Sequence, residues 1–293
     1  MKILLTLLTS NDLPRLKRLI SSVQKQNPVE GFELEPVIVL NTLNEVYAEE
    51  VLEADFPYSV IRTGSNGKPG MGKNSCLDYF MTTDCDFVSQ IDGDDFLYPT
   101  YLQSLANHIN HFPCIDALGV IPLDYLSNGS AAGHTFKIHN GSEAGVWGCS
   151  IVPPSKGSGP GVSHVFLEDL PRSVDSIILQ SRKSAVIKMH EDLPNGEDHL
   201  YTYQLLAAHQ KGDICYLQTM SSDLWVQDQT TPDSIQDKFP QQDHVESLRE
   251  LALQHVEKWR SSARELPVIY KDLLIDQYQK ETFIKNITKA HSK

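Results

Sequence analysis

The chain lacks three features that would each narrow its class at once. No apolar run approaches the ~18 residues of a membrane helix, so no membrane span is expected. The five cysteines, Cys76, Cys85, Cys114, Cys149 and Cys215, are odd in number and widely spaced, with no Cys-x-x-Cys among them. That pattern argues against a zinc ribbon or a disulfide framework and predicts the reduced thiols of a cytoplasmic protein. Basic residues are also scarce: 25 Lys and Arg stand against 38 Asp and Glu, a formal net charge of −13. Nucleic-acid binders carry a basic footprint, so no nucleic-acid partner is expected, and the acidity is read as solubility.

The N-terminus is not expected to be a secretion signal. The stretch Met1 to Thr9 is apolar but short, has no small-residue cleavage site, and runs straight into a helix-capping pair, Asn11-Asp12. It reads as a buried strand. The sequons at Asn128, Asn140 and Asn286 are therefore given no weight as glycosylation sites.

What is present is a globular mixture, 40% hydrophobic and 22% charged over 293 residues. Residues 2–9 predict a strand. Pro14 suits the first turn of a helix whose apolar face is Leu13, Leu16, Leu19, Ile20 and Val23. Strands follow at Pro36–Leu40, Tyr58–Arg62 and Phe87–Ile91, with helices over about 44–54 and 72–81 between them. Alternation of this kind calls for βαβ units and a largely parallel sheet. Ligands bind such sheets outside the carboxyl ends of the strands. Those ends carry Thr9-Ser10-Asn11, Asn41-Thr42, Thr63-Gly64 and Asp92-Gly93-Asp94-Asp95, so four polar strand ends should converge on one crevice.

Residues 125–170, rich in Gly, Ser and Pro, read as a long loop region, a mobile segment over the acceptor side. Beyond them a strand is expected near Ser176–Gln180, a helix over Glu197–Gln210, and strands near Ile214–Leu217 and Leu224–Val226. These close a first unit, residues 1–235. Residues 236–293 read as a C-terminal helical extension, with one stripe of Val245, Leu248, Ala252, Val256 and Trp259 and another of Ile269, Leu273, Tyr278 and Ile284. The stripes suit packing on the first unit or a homodimer through these helices.

Three carboxylates within Asp92–Asp95 repel one another and need a cation or hydrogen-bond donors to compensate. Hard oxygens of this sort suit Mg²⁺ or Mn²⁺, ions that commonly bridge one or two carboxylates to substrate phosphates. Asp-Gly-Asp also makes good solvated turns, and the cluster alone does not separate the two readings. A calcium loop fits less well, because the twelfth residue from Asp92 is Gln103 rather than Glu.

Four segments together resemble the family-2 glycosyltransferases, whose fold is the GT-A type. They are the polar ends of the first two strands, Gly72-Lys73-Asn74-Ser75-Cys76-Leu77, Gln90-Ile91-Asp92-Gly93-Asp94-Asp95, and Gly196-Glu197-Asp198-His199-Leu200. The second resembles the family's Ala-Arg-Asn-x-Gly-Leu segment, the third its D-x-D segment, and the fourth its later Glu-Asp motif. The resemblance covers about residues 2–230. It implies an α/β, GT-A-like (Rossmann-like) mixed sheet, mainly parallel and flanked by helices.

It also implies a nucleoside-diphosphate sugar as donor and a hydroxyl acceptor of unknown type, whether glycan, lipid-linked or small molecule. Thr9, Asn11, Asn41, Lys73, Asn74 and Asp92 would bind the donor. Asp94 and Asp95 would hold Mn²⁺ or Mg²⁺, and Asp198, with Glu197 beside it, would be the base of an inverting transfer. Glu191-Asp192 is a second candidate for the base. The chain departs from the family at Asn41, where Asp is common, and at Trp225-Val226-Gln227-Asp228, where a histidine often follows.

Other readings compete. Gly67 to Asn74 comes close to a phosphate-binding P-loop but has Asn74 where Ser or Thr is needed, which would make the chain an ATPase or kinase. A nucleotidyltransferase, or a nucleotide-sugar-binding protein without turnover, would also account for the acidic cluster.

Overall fold

The computed structural model describes residues 1–122, 124–127, 130–133, 137–139, 150–152, 176–221, 224–228, 250–251, 254 and 269–271. Its centre is an eight-stranded mixed sheet. The strands are β1 (Lys2–Thr9), β2 (Glu33–Leu40), β3 (Ser59–Arg62), β4 (Phe87–Asp92), β6 (Ala117–Pro122), β11 (Ser176–Ser181), β12 (Tyr216–Ser221) and β14 (Ile269–Lys271). The spatial order is β14-β12-β6-β11-β4-β1-β2-β3. All neighbours run parallel except β11, which is antiparallel to both β4 and β6. A mainly parallel mixed sheet is thus what the alternation called for.

β1 is buried over residues 3–9, as a strand covered on both faces must be. After it, α1 (Leu13–Val23) starts at Asp12, whose side chain accepts the N–H of Arg15 at 2.9 Å. Leu16, Leu19, Ile20 and Val23 seat this helix against β1, β2 and β4 in one core cluster. Helix α2 spans Glu45–Glu53, capped by Asn44. Helix α3 (Pro69–Thr82) begins three residues earlier than its apolar spacing suggests, with Pro69 in its first turn. It covers the other face, where Cys76, Leu77 and Phe80 meet Leu4, Leu8, Val37, Val39 and Val88. Helices α4 (Tyr101–His111) and α5 (Glu197–Gln210) complete the layers.

The chain leaves β1 toward β2 and β3 on one side, then returns as β4 on the other. That reversal opens a crevice beyond the ends of β1 and β4, the place where open α/β sheets bind ligands. The acidic cluster follows β4 directly. A second, four-stranded sheet lies next to it, ordered β5 (Phe96–Leu97), β13 (Trp225–Asp228), β7 (Asp124–Ser127) and β8 (Ser130–Gly133). A two-stranded pair joins β9 (Lys137–His139) and β10 (Ser150–Val152).

Two expectations need correction. The region 125–170 is not a continuous loop, because β7 to β10 fall in it. β7 and β8 pair antiparallel, with Ser127 opposite Ser130. Asn128-Gly129 between them is a strong hairpin signal, which the Gly- and Ser-rich composition obscures. Second, Ile269, assigned by its spacing to a helix, lies in strand β14 and pairs with Gln218 of β12. Val268-Ile269-Tyr270 is a β-branched and aromatic run, and adding it to an open sheet edge outweighs the sparse helical spacing. Helix does occur at residues 250–251 and 254, and Leu251 packs against the cluster holding Tyr201 and Leu205. Both apolar stripes otherwise lie outside the described residues.

Candidate active site

Gly93 holds the acidic cluster against β1. Its N–H donates to the Leu8 carbonyl at 2.6 Å, and a Cβ there would stand 2.8 Å from that oxygen and 2.9 Å from the Thr9 Cβ. Only glycine permits this approach. The three carboxylates that result have different surroundings. Asp92 is the open one, its side chain 47% exposed. Asp95 is buried, and its Oδ1 accepts the backbone N–H of Asp228 at 2.9 Å. Burial, and next the charges of Asp94 and Asp92, push the Asp95 carboxyl well above the usual carboxylate range.

Beneath the cluster lies a buried ionic brace. The Asp228 carboxylate meets Arg18 at 2.6 Å and Arg15 at 3.2 Å. Arg18 also donates to the backbone carbonyl of Asp94 and lies over the Phe96 ring at 4.6 Å. Helix α1 and strand β13 together therefore fix the backbone of Asp94 and the side chain of Asp95. None of Arg15, Arg18 or Asp228 was singled out from sequence for such a role. Their partners lie some 200 positions apart, and the local signal was only two arginines three residues apart on α1.

Lys73 joins the cluster to helix α5. It rises from α3, is buried, and places Nζ 3.0 Å from Glu197 Oε1 and 4.0 Å from Asp92 Oδ2. Burial alone would depress its pKa, but Asp92, Glu197 and Asp198 outweigh it, and the ammonium is held charged far above neutrality. Burial raises the Glu197 carboxyl, with Lys73 opposing.

Asp198 sits in the first turn of α5, which starts after Gly196 in a left-handed conformation (φ 80°). Its Oδ1 accepts the N–H of His199 at 2.8 Å, and its side chain keeps 21% of its surface open. A buried chain ties α5 to β4: Gln90 Nε2 donates to Gln180 at 3.2 Å, Gln180 Nε2 to the Tyr201 hydroxyl at 2.6 Å, and that hydroxyl to the Ile187 carbonyl at 2.8 Å.

The remaining candidates separate. The Asn74 amide is bound to the segment 189–191: Nδ2 donates to Met189 O and Glu191 Oε1, both at 2.9 Å, and Oδ1 accepts Met189 N–H at 2.8 Å. That is a structural brace and leaves little of the amide for a donor. Asn41 Oδ1 accepts from the Thr63 hydroxyl at 3.0 Å and Nδ2 donates to the Lys68 carbonyl at 3.3 Å, so Asn41 floors the loop leading to α3. Thr9 is buried with its hydroxyl on the Tyr47 hydroxyl, whose pKa burial lifts to about 12. Asn11 is exposed beside the α1 cap. Of the alternative base pair, Asp192 is 84% exposed next to Lys68, and Glu191 receives Asn74.

The carboxylates of Asp92, Asp94 and Asp95 do not converge on one point. Among the described residues, the group of three whose ligand atoms do converge is Glu35, Asp84 and Cys85. It lies near the start of β1, and the Lys2 ammonium already occupies it, 3.0 Å from Glu35 and 2.9 Å from Asp84. An ion held by one or two carboxylates and completed by substrate phosphates needs no such convergence.

No family model and no curated protein sequence matches the chain. Solved structures do. Staphylococcus aureus TarS 1–349 in complex with UDP-GlcNAc superposes with a TM-score of 0.59 at 17% identity, over 90% of this chain and 69% of that one. The same protein in complex with UDP gives 0.51 at 17% identity over 99% of this chain and 72% of that one. A longer TarS structure gives 0.53 at 18% identity, with 41% of its length covered. The chain has the fold of these proteins, the GT-A fold of glycosyltransferases.

Proposed function

We propose that the chain is a metal-dependent, inverting glycosyltransferase that moves a sugar from a nucleoside-diphosphate donor to an acceptor hydroxyl. The observation that carries this reading is Lys73: one buried ammonium joins the carboxylate at the end of β4 to those at the start of α5. A donor half and a proton-accepting half thus face one crevice. The two TarS complexes hold UDP-GlcNAc and UDP, which favours a uridine nucleotide as the first donor to test.

Asp92, open at the crevice, would contact the donor's nucleoside. Asp94, its backbone fixed by Arg18, would hold Mn²⁺ or Mg²⁺ with the donor phosphates. When bound, such an ion stabilises negative charge on the leaving diphosphate. Asp95, tied to β13, would position Asp94 rather than bind the ion. Asp198 is the base: partly open and on a rigid helix start, it would take the acceptor's proton as the hydroxyl attacks from the face opposite the leaving group. Glu197 is committed to Lys73 and would hold that ammonium beside the donor. Of the helical extension expected over 236–293, residues 269–271 pair with β12 in the central sheet.

The P-loop reading loses its geometric basis. Gly70, Gly72 and Lys73 lie within α3, which starts at Pro69, and Lys73 is paired to Glu197. A phosphate-cradling loop would have to precede the helix.

Transfer assays with uridine-diphosphate sugars, Mn²⁺ and a panel of hydroxyl acceptors test the proposal. Asp198→Asn should keep donor affinity and lower turnover by roughly 10²–10⁴-fold, the range for a lost general base. Full turnover in that variant would move the base elsewhere, and donor binding without transfer to any acceptor in the wild type would leave only a binding protein.

A further inference from the structure

Two thiols outside the crevice are arranged to react. Cys114 is exposed in the turn between α4 and β6, and Cys215 immediately precedes β12. Their sulfurs lie 3.3 Å apart, although the residues are separated by 101 positions. The backbones that carry them are locked together. The Cys215 carbonyl accepts N–H from Asp116 at 2.8 Å and from Ala117 at 3.1 Å, and the Cys215 N–H donates to Asp116 Oδ2 at 2.8 Å. β6 and β12 then continue side by side, with Ala117 opposite Tyr216. A disulfide needs sulfurs about 2.05 Å apart, so the two atoms have only a little over 1 Å to close. Cys76 and Cys85, by contrast, are buried in separate positions.

We propose that Cys114 and Cys215 are a modification site, a dithiol that a low-molecular-weight disulfide such as oxidised glutathione converts to an intramolecular disulfide. The exposed Cys114, as thiolate, attacks one glutathione sulfur. The glutathione S–S bond breaks, one glutathione leaves as thiolate and takes a proton from solvent, and a mixed disulfide remains on Cys114. Cys215 gives its proton to solvent and attacks the Cys114 sulfur, releasing the second glutathione. Two protein thiols are oxidised and one glutathione disulfide is reduced to two thiols.

The order of attack follows from burial. Burial first, then Cys114 and Asp116, push the Cys215 thiol up to about 12, with Lys183 opposing. Cys215 is thus the slower thiol, and capping Cys114 removes one of the influences that hold its proton.

The bridge would clasp the entering ends of β6 and β12, whereas the acidic cluster lies beyond the exit end of β4. β6 runs in the same sense as β4, each antiparallel to β11, so the two places are separated by the length of a six-residue strand, roughly 20 Å. Closing a long loop restricts the unfolded chain and should raise the thermal midpoint by roughly 5 °C or more, while nucleotide binding stays within twofold.

The test incubates the full chain with oxidised glutathione and follows intact mass, peptide maps and melting. Loss of two hydrogens, a Cys114–Cys215 linked peptide and a higher midpoint are expected. Cys114→Ser and Cys215→Ser should each abolish all three, and Cys149→Ser should change none. A stable glutathione adduct on Cys114, a linkage through Cys149, or a bridge that leaves the midpoint unchanged would overturn the proposal.

Discussion

Lys73 has no independent place to put its charge. With Glu197 it forms a buried pair, the two side chains 11% and 6% exposed. Removing one partner of such a pair strands the other's charge in a medium that solvates it poorly, at a cost of about 3–5 kcal/mol. Lys73→Met should therefore lower stability in urea unfolding by about that amount. Lys73→Met with Glu197→Gln should recover much of it, since no lone charge is then buried; equal losses in the single and double variants would contradict the pairing. Lys73 and Glu197 were both legible in sequence as site residues, one within the Gly72–Leu77 segment and the other opening α5. Their partnership was not, because 124 positions separate them and no local pattern encodes it. The same holds for Asp95. Sequence grouped it with Asp94 as a ligand, but its surroundings are set by Asp228 on β13, far along the chain.

Helices and strands here owe their placement to close contacts that glycine allows and to hydrogen bonds across elements. A Cβ on Gly72 would lie 2.5 Å from Asn41 Nδ2, so α3 can approach the end of β2 only because that position is bare. Gly72→Ala should cost about 1–3 kcal/mol through overpacking and should weaken nucleotide binding, since relief comes from moving Asn41. Unchanged melting and binding in that variant would show that the loop at 63–68 yields freely.

At the other end of α5, His209 Nδ1 accepts the N–H of Tyr216 at 3.2 Å, and burial lowers its pKa below the ordinary 6.5. The neutral ring is the one the fold needs. Below about pH 6.5 the unfolded chain binds a proton that the folded chain resists, so this contribution falls as pH drops through that window. Urea midpoints at pH 5.5 and 7.5 should differ more for wild type than for His209→Gln; an equal difference would remove His209 as a source.

Elements of this kind were the most legible part of the sequence. β1, α1, β2 and β4 announced themselves through continuous apolar runs and a capped, Pro-led helix. The hairpin of β7 and β8 was hidden in Gly- and Ser-rich composition although Asn128-Gly129 marks it, and β14 was hidden because three residues are too few to set a period.

For the whole molecule, the decisive fact is the reversal between β1 and β4. It gathers the ends of separate strands at one crevice; the convergence of polar strand ends was legible in the sequence, the strand order that produces it was not. The antiparallel insertion of β11 and the brace between α1 and β13 were not, since both depend on contacts between segments far apart in the chain, from Ser176 with Val120 to Arg18 with Asp228. Their effect is to anchor the acidic cluster from two sides while leaving Asp92 open. Among the described residues no helix is long and apolar enough to cross a membrane. On the proposed function, this anchored cluster binds a divalent ion and a nucleoside diphosphate together. Calorimetric titration of UDP into wild type and Asp94→Ala, each with and without Mn²⁺, tests it most directly. Mn²⁺ should strengthen binding to wild type at least tenfold and have no effect in Asp94→Ala. Equal affinity with and without Mn²⁺ in wild type would contradict it.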